Sequence, residues 1–215
     1  MITLASGLRM GGGSGGGGGG GTSGVEFVGA TSVSGDGDLY LTGITGLQDG
    51  DLVVFAAMDD SRNFRITSSG WTSMTNANYS NSIDFVIEYK VMGSTVDTRV
   101  FLDETVDALC AIAFRGAADA SYSDSYSGST SASFSLPTFT IAENNSAALV
   151  IAFLDDDDST ISTIPAGYTV ATTSGRSGGS AAIMFKLVDA GNSIVSGSWS
   201  SYDNNITIGY DISPA

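Results

Sequence analysis

Six short apolar runs recur along the chain: residues 52–57 (LVVFAA), 85–92 (FVIEYKVM), 109–114 (LCAIAF), 149–154 (LVIAFL), 183–188 (IMFKLV) and 206–210 (ITIGY). Each is rich in β-branched or aromatic residues and bounded by Gly, Asn, Asp or Ser, the pattern of strands punctuated by turns. In the last run Ile206, Ile208 and Tyr210 alternate with Thr207 and Gly209, as for a strand with one buried face. No segment carries a helical period with caps at both ends. The pattern predicts an all-β chain.

The runs also repeat. Leu52, Asp59, Gly70, Trp71 and Thr72 recur 97 positions later as Leu149, Asp156, Gly167, Tyr168 and Thr169. Tyr89 and Lys90 recur 96 positions later as Phe185 and Lys186, and Cys110, Ile112 and Phe114 as Ile206, Ile208 and Tyr210. The spacing predicts an internal repeat over approximately 47–116 and 145–212. A unit that small buries a marginal core alone, so the expectation is one antiparallel, jelly-roll-like β-sandwich over 25–215. Two tandem small β domains are the rival arrangement. The repeated Gly-aromatic-Thr step (SGWT, AGYT) reads as a turn whose aromatic caps the core. Trp199 and Tyr202 have no counterpart under this offset and lie in a Ser/Asn-rich stretch, which makes them candidates for an exposed contact surface.

Residues 1–24 have a different texture. Residues 11–24 read GGGSGGGGGGGTSG, with no side chain able to pack a core. Such a tract is either a flexible linker or a segment ordered only in an assembly, where glycine lets backbones approach closely. Before it, Ile2, Leu4, Leu8 and Met10 form an apolar tip. An apolar tip on a tether has nothing of its own to bury against, so these four residues are the candidate assembly anchor.

Composition narrows the chemistry. There are 8 Lys+Arg against 23 Asp+Glu, a net charge of −15, and scattered cations do not bind a phosphate backbone. Histidine is absent, which removes His-based triads, His metal sites and imidazole switches. A single cysteine excludes an internal disulfide and Cys-based zinc sites; Cys110, inside an apolar run, reads as a buried hydrophobe. The acidic run 155–158, echoed by Asp59 and Asp60, lacks the spacing of a calcium loop and is expected to be a solvated loop. Glu26, Glu88, Glu104 and Glu143 form no acid–base motif, and no nucleophile elbow or phosphate loop is present. The expectation is no catalytic residue, no cofactor and no resident metal. No run has the roughly 18 apolar residues of a membrane span, and the N-terminus has no secretory signal pattern. A protein made in the host cytoplasm, without membrane insertion, is expected.

The order GDLVVFAAMDD, SGWT, FVIEYKVMG, ALCAIAFRGA resembles bacteriophage tail-associated and virion-surface β-sandwich proteins. The matching residues are Gly50, Asp51 and Leu52; Gly70, Trp71 and Thr72; Tyr89, Lys90 and Val91; Arg115 and Gly116. Ser69 stands where that pattern has proline, whereas Pro165 keeps it in the second copy. The resemblance implies a non-enzymatic virion component, in the first place a tail fibre or receptor-binding protein docked by its N-terminal arm. It also implies a homotrimer that meets other virion proteins and a host-surface glycan or protein. Within that class a capsid decoration protein or head fibre is the alternative; a carbohydrate-binding module or glycosidase, resting on the aromatics and carboxylates alone, is the second.

Overall fold

The computed structural model describes residues 24–60, 63–79, 83–157, 159–176 and 178–215. Among these residues eleven strands carry the fold: β1 Glu26–Tyr40, β2 Leu52–Asp59, β3 Thr72–Tyr79, β4 Ile83–Val91, β5 Arg99–Arg115, β6 Ala117–Ile141, β7 Ser146–Leu154, β8 Ile161–Thr163, β9 Thr169–Arg176, β10 Gly179–Val188 and β11 Gly191–Pro214. They form two antiparallel sheets, ordered β1-β5-β2-β4-β3 and β6-β11-β7-β10-β9, with β8 beside β11. The chain completes one sheet before starting the other, so the two halves face each other as whole sheets.

The facing surfaces share one apolar core. Leu52, Val54, Ala56 and Met58 of β2 and Cys110, Ile112 and Phe114 of β5 meet Leu149, Ile151 and Phe153 of β7 and Ile206, Ile208 and Tyr210 of β11. Because side chains alternate across a strand, the intervening residues point away from this core, yet they too are buried. Val53, Phe55 and Ala57 lie in a second cluster with Leu39, Leu41, Phe64, Val100 and Leu102. Ala148, Val150, Ala152 and Leu154 lie in a third with Phe134, Leu136, Phe139, Tyr168 and Trp199. Strands covered on both faces read as continuous apolar runs, which is why LVVFAA and LVIAFL show no alternation.

The outer covers come from bends in two long ribbons. In the β1–β5 ladder the register jumps between the rungs Asp36↔Val106 and Asp38↔Phe101, so residues 102–105 bulge against Gly37. In the β6–β11 ladder it jumps between Ser131↔Asp203 and Ser133↔Ser198, so residues 199–202 bulge against Ala132. Four residues against one is the same defect in both ribbons, and bulges bend and twist the strand that carries them. Beyond each bend the ribbon folds over the outside of its own sheet. Leu102, the first bulge residue of β5, bridges to Ile66; Trp199, the first of β11, pairs with Ile161.

That pairing corrects the expectation for Trp199. Its side chain is 2% exposed, edge-on to Phe134, and plugs the outer core of the second sheet as Leu102 does in the first. The counterpart was hidden because a leucine and a tryptophan do not look alike in sequence. Tyr202, three residues on, is 69% exposed. Trp71 and Tyr168 also pack on the outer clusters rather than in the shared core, Trp71 half-buried and edge-on to Phe55, Tyr168 buried.

The repeated short motifs meet in space. Thr72 pairs with Tyr89 and Thr169 with Phe185. Gly70 and Gly167 each hold φ +81°, and a Cβ there would meet Lys90 Nζ at 3.3 Å and Lys186 Cε at 3.2 Å. Glycine is therefore favoured by the left-handed turn itself, and the lysine side chain passes close across it. Lys90 Nζ donates to Ser69 O across this turn (3.1 Å). Leu52 pairs with Phe114 as Leu149 pairs with Tyr210.

Trp199→Ala should therefore cost about 3–5 kcal/mol of stability, as expected for emptying a large buried site. Tyr202→Ala should change stability by less than about 0.5 kcal/mol. Urea midpoints measure both, and equal midpoints would contradict the placement of Trp199.

Candidate functional site

The two ends of the sandwich differ in what they present. At the end where β2 and β7 begin, Val25 N–H donates to Asn145 O (2.8 Å), so residues 1–24 join the body there. Beside this junction is a cleft of about 580 Å³ lined by Gly24, Glu26, Arg115, Asn145, Leu187 and Asp189 among others. One of its lining residues, Arg115, is held by the motif residue Asp51. Arg115 Nε and Nη2 donate to the two oxygens of Asp51, each at 2.9 Å, and Nη2 also donates to Gly46 O. A bidentate, charge-assisted pair of this kind fixes both position and orientation, and here it clamps the start of β2 to the end of β5. In the second half the equivalent rung is Ala148↔Asp211, and Asp211 instead accepts from Ala142 N–H at 2.8 Å.

At the far end, carboxylates carried by neighbouring strands of the first sheet converge. Oxygens of Asp59, Asp60 and Asp107 lie within 4.8 Å of one another, and Asp84 sits across from Asp59 in the β2–β4 ladder. Gly178, before β10, packs against them: a Cβ there would lie 2.7 Å from Asp107 Oδ2. Its N–H donates to Asp157 Oδ1 at 2.6 Å. Burial raises the Asp107 carboxyl to about 6; the N–H of Asp60 opposes this, the charges of Asp59 and Asp60 add to it, and Arg176 relieves it.

The run 155–158 is tied into the fold as far as it is described. Asp155 N–H donates to Asn204 O, and Asp156 accepts from Ser159 Oγ at 3.0 Å. Hydrogen bonds from Ser201 and Ser159 hold the Asp156 carboxyl below the usual range. Asp158 lies outside the described residues, as do the anchor candidates Ile2, Leu4, Leu8 and Met10. Of the three carboxylates that converge, Asp59 and Asp60 are adjacent in sequence and Asp107 comes to them from β5. Three such groups are donors suited to a hard cation, and a single proton on Asp107 also relieves their repulsion.

Cys110 is fully buried, its Sγ–H directed at Ala181 O (3.9 Å), and desolvation drives its pKa far above the ordinary thiol value. It packs as a small apolar group. Glu88 has a raised pKa from burial alone.

A second cluster has no signal in the sequence. On the outer part of the first ribbon, the Arg99 guanidinium carbon lies 4.6 Å from the ring centroids of both Tyr40 and Phe101. Arg99 also pairs with Asp38. Tyr40 and Phe101 are 53% and 44% exposed. These residues come together only through the β1–β5 register, which no local motif reveals.

Comparison with protein-family models, curated proteins and solved structures finds no match to this chain.

Asp107 gives a signed test. A native pKa near 6 against about 4 in the unfolded chain means the folded state keeps a proton that the unfolded state has released. The associated stability is full below about pH 4 and is lost as pH rises through about 6. Asp107→Asn, which mimics the protonated acid, should raise the urea midpoint near pH 7.5 and leave it unchanged near pH 4. An equal effect at both would contradict this assignment.

Proposed function

We propose that this chain is a non-enzymatic structural protein of a bacteriophage virion, a tail fibre or receptor-binding component docked by its N-terminal arm. In this reading the body is a duplicated β unit that projects from the particle as a trimer and presents its far end to the host surface.

The observation that carries the proposal is the polarity of the body. The arm joins where β7 begins, at the Val25–Asn145 hydrogen bond. The Trp199–Tyr202 bulge lies where β7 ends, since Asn205 pairs with Leu154. Nine residues of strand separate the two, a span of roughly 30 Å. An apolar tip on a glycine tether at one end and exposed ribbon bends at the other suit a protein that docks at its base and makes contacts at its tip. The shared strand order and the matching bulges support the duplicated unit. The order of the GDL, SGWT, YKV and RG motifs supports the virion class, and the Asp51–Arg115 clamp and the Gly70–Lys90 crossing give those motifs a structural reason to persist.

Deleting residues 1–23 should leave the melting temperature and urea midpoint unchanged, because the glycine tract carries no side chains to pack a core and the apolar tip lies beyond it. It should abolish incorporation into particles, since Ile2, Leu4, Leu8 and Met10 each contribute roughly 1.5–3 kcal/mol only when a partner buries them. Normal incorporation of the truncated protein, or loss of its fold, would refute the docking role.

A further inference from the structure

Beyond their bulges the two ribbons keep the same ladder rungs and fill them with opposite kinds of side chain. In the first, Asp38 faces Phe101 and Tyr40 faces Arg99. In the second, Ser133 faces Ser198 and Ser135 faces Ser196. One place on the scaffold is therefore raised in the first half and hollow in the second. The hollow is a cleft of about 470 Å³, lined by these four serines with Phe134 and Thr163. The raised side is preorganised: Arg99 lies over both aromatic rings and is held by Asp38.

We propose that the Tyr40–Arg99–Phe101 knob of one copy seats in the serine cleft of a second copy of this chain. Charge selects this pairing. At −15 per chain two copies repel, so contact requires surfaces without excess negative charge. The knob meets that need because Asp38 balances Arg99, and the cleft lining carries no charged side chain. Tyr, Phe and Arg are the side chains that anchor protein interfaces, and a stack already locked in place loses little conformational freedom on docking. Because knob and cleft are different patches, the contact is heterologous and joins copies head to tail, into a ring where the rotation closes. A trimer is one such closure, and this contact does not depend on the virion assignment.

The test uses the full chain and two variants built by exchanging residues between the halves. Tyr40→Ser/Phe101→Ser removes the knob; Ser135→Tyr/Ser196→Arg fills the cleft. Each substitution installs a residue the other half already carries at that rung, and a wild-type far-UV circular dichroism spectrum with a cooperative melt verifies the fold. Arg99→Glu, placed against Asp38, is a second knob variant should the first fail to fold. Light scattering should give the wild type at least twice the monomer mass and each variant the monomer mass alone. Mixing the knobless and cleft-filled variants should give one-to-one heterodimers, since one intact knob and one intact cleft remain. A monomeric wild type, variants that keep the wild-type mass, or monomeric variants that do not pair on mixing would each overturn the proposal.

Discussion

Everything in this fold follows from two strands that must be dry on both sides. β2 and β7 are buried along their whole length, with alternate residues in the shared core and in an outer cluster. A simple two-sheet sandwich covers one face of each strand and leaves Val53, Phe55 and Ala57, or Val150, Ala152 and Leu154, to water. Every such large apolar side chain contributes on the order of 1.5–3 kcal/mol only once it is covered. The long ribbons resolve this. Each runs past its own sheet, bends at a four-residue bulge and returns over the outer face. The body is therefore layered as cover, sheet, shared core, sheet and cover.

The sheets are joined by more than apolar contact. Ser32 Oγ donates to Thr173 O, and Ser174 Oγ to Val33 O, where β1 meets β9. On the opposite side Tyr210 donates to Thr75 Oγ1 at 3.0 Å. Hydroxyls can bridge the sheet edges because they satisfy main-chain carbonyls that would otherwise be left to water. The acidic composition is managed locally. Asp51 is clamped by Arg115, Asp38 by Arg99 and Asp97 by Lys90. At the far end Asp59, Asp60 and Asp107 converge, and burial foremost, with the charges of Asp59 and Asp60 adding to it, raises the Asp107 carboxyl to about 6.

Much of this was legible in the sequence, for identifiable reasons. Strand positions follow from the apolar runs and the turn residues around them, and the short motifs mark places where backbone and side chain are jointly constrained, as at Gly70 and Lys90. The outer covers were not legible. Phe134, Leu136 and Phe139 sit in a Ser-rich stretch that reads as polar, and the Leu102–Trp199 equivalence is one of place rather than residue type. The acid cluster and the Arg99 stack were hidden for a third reason. Asp107 joins Asp59, and Arg99 joins Tyr40, only through strand register, which is set by the whole ladder.

Hydrogen exchange tests the layered account most directly. If the covers are needed to keep β2 and β7 dry, undocking a cover exposes a sheet face and is as costly as global unfolding. Main-chain amides of the second cover, residues 134–141 and 195–199, should then exchange as slowly as those of β7, with one shared dependence on denaturant. Cover amides that exchange orders of magnitude faster than β7, through a separate local opening, would show that the outer faces do not depend on the covers and would contradict the account.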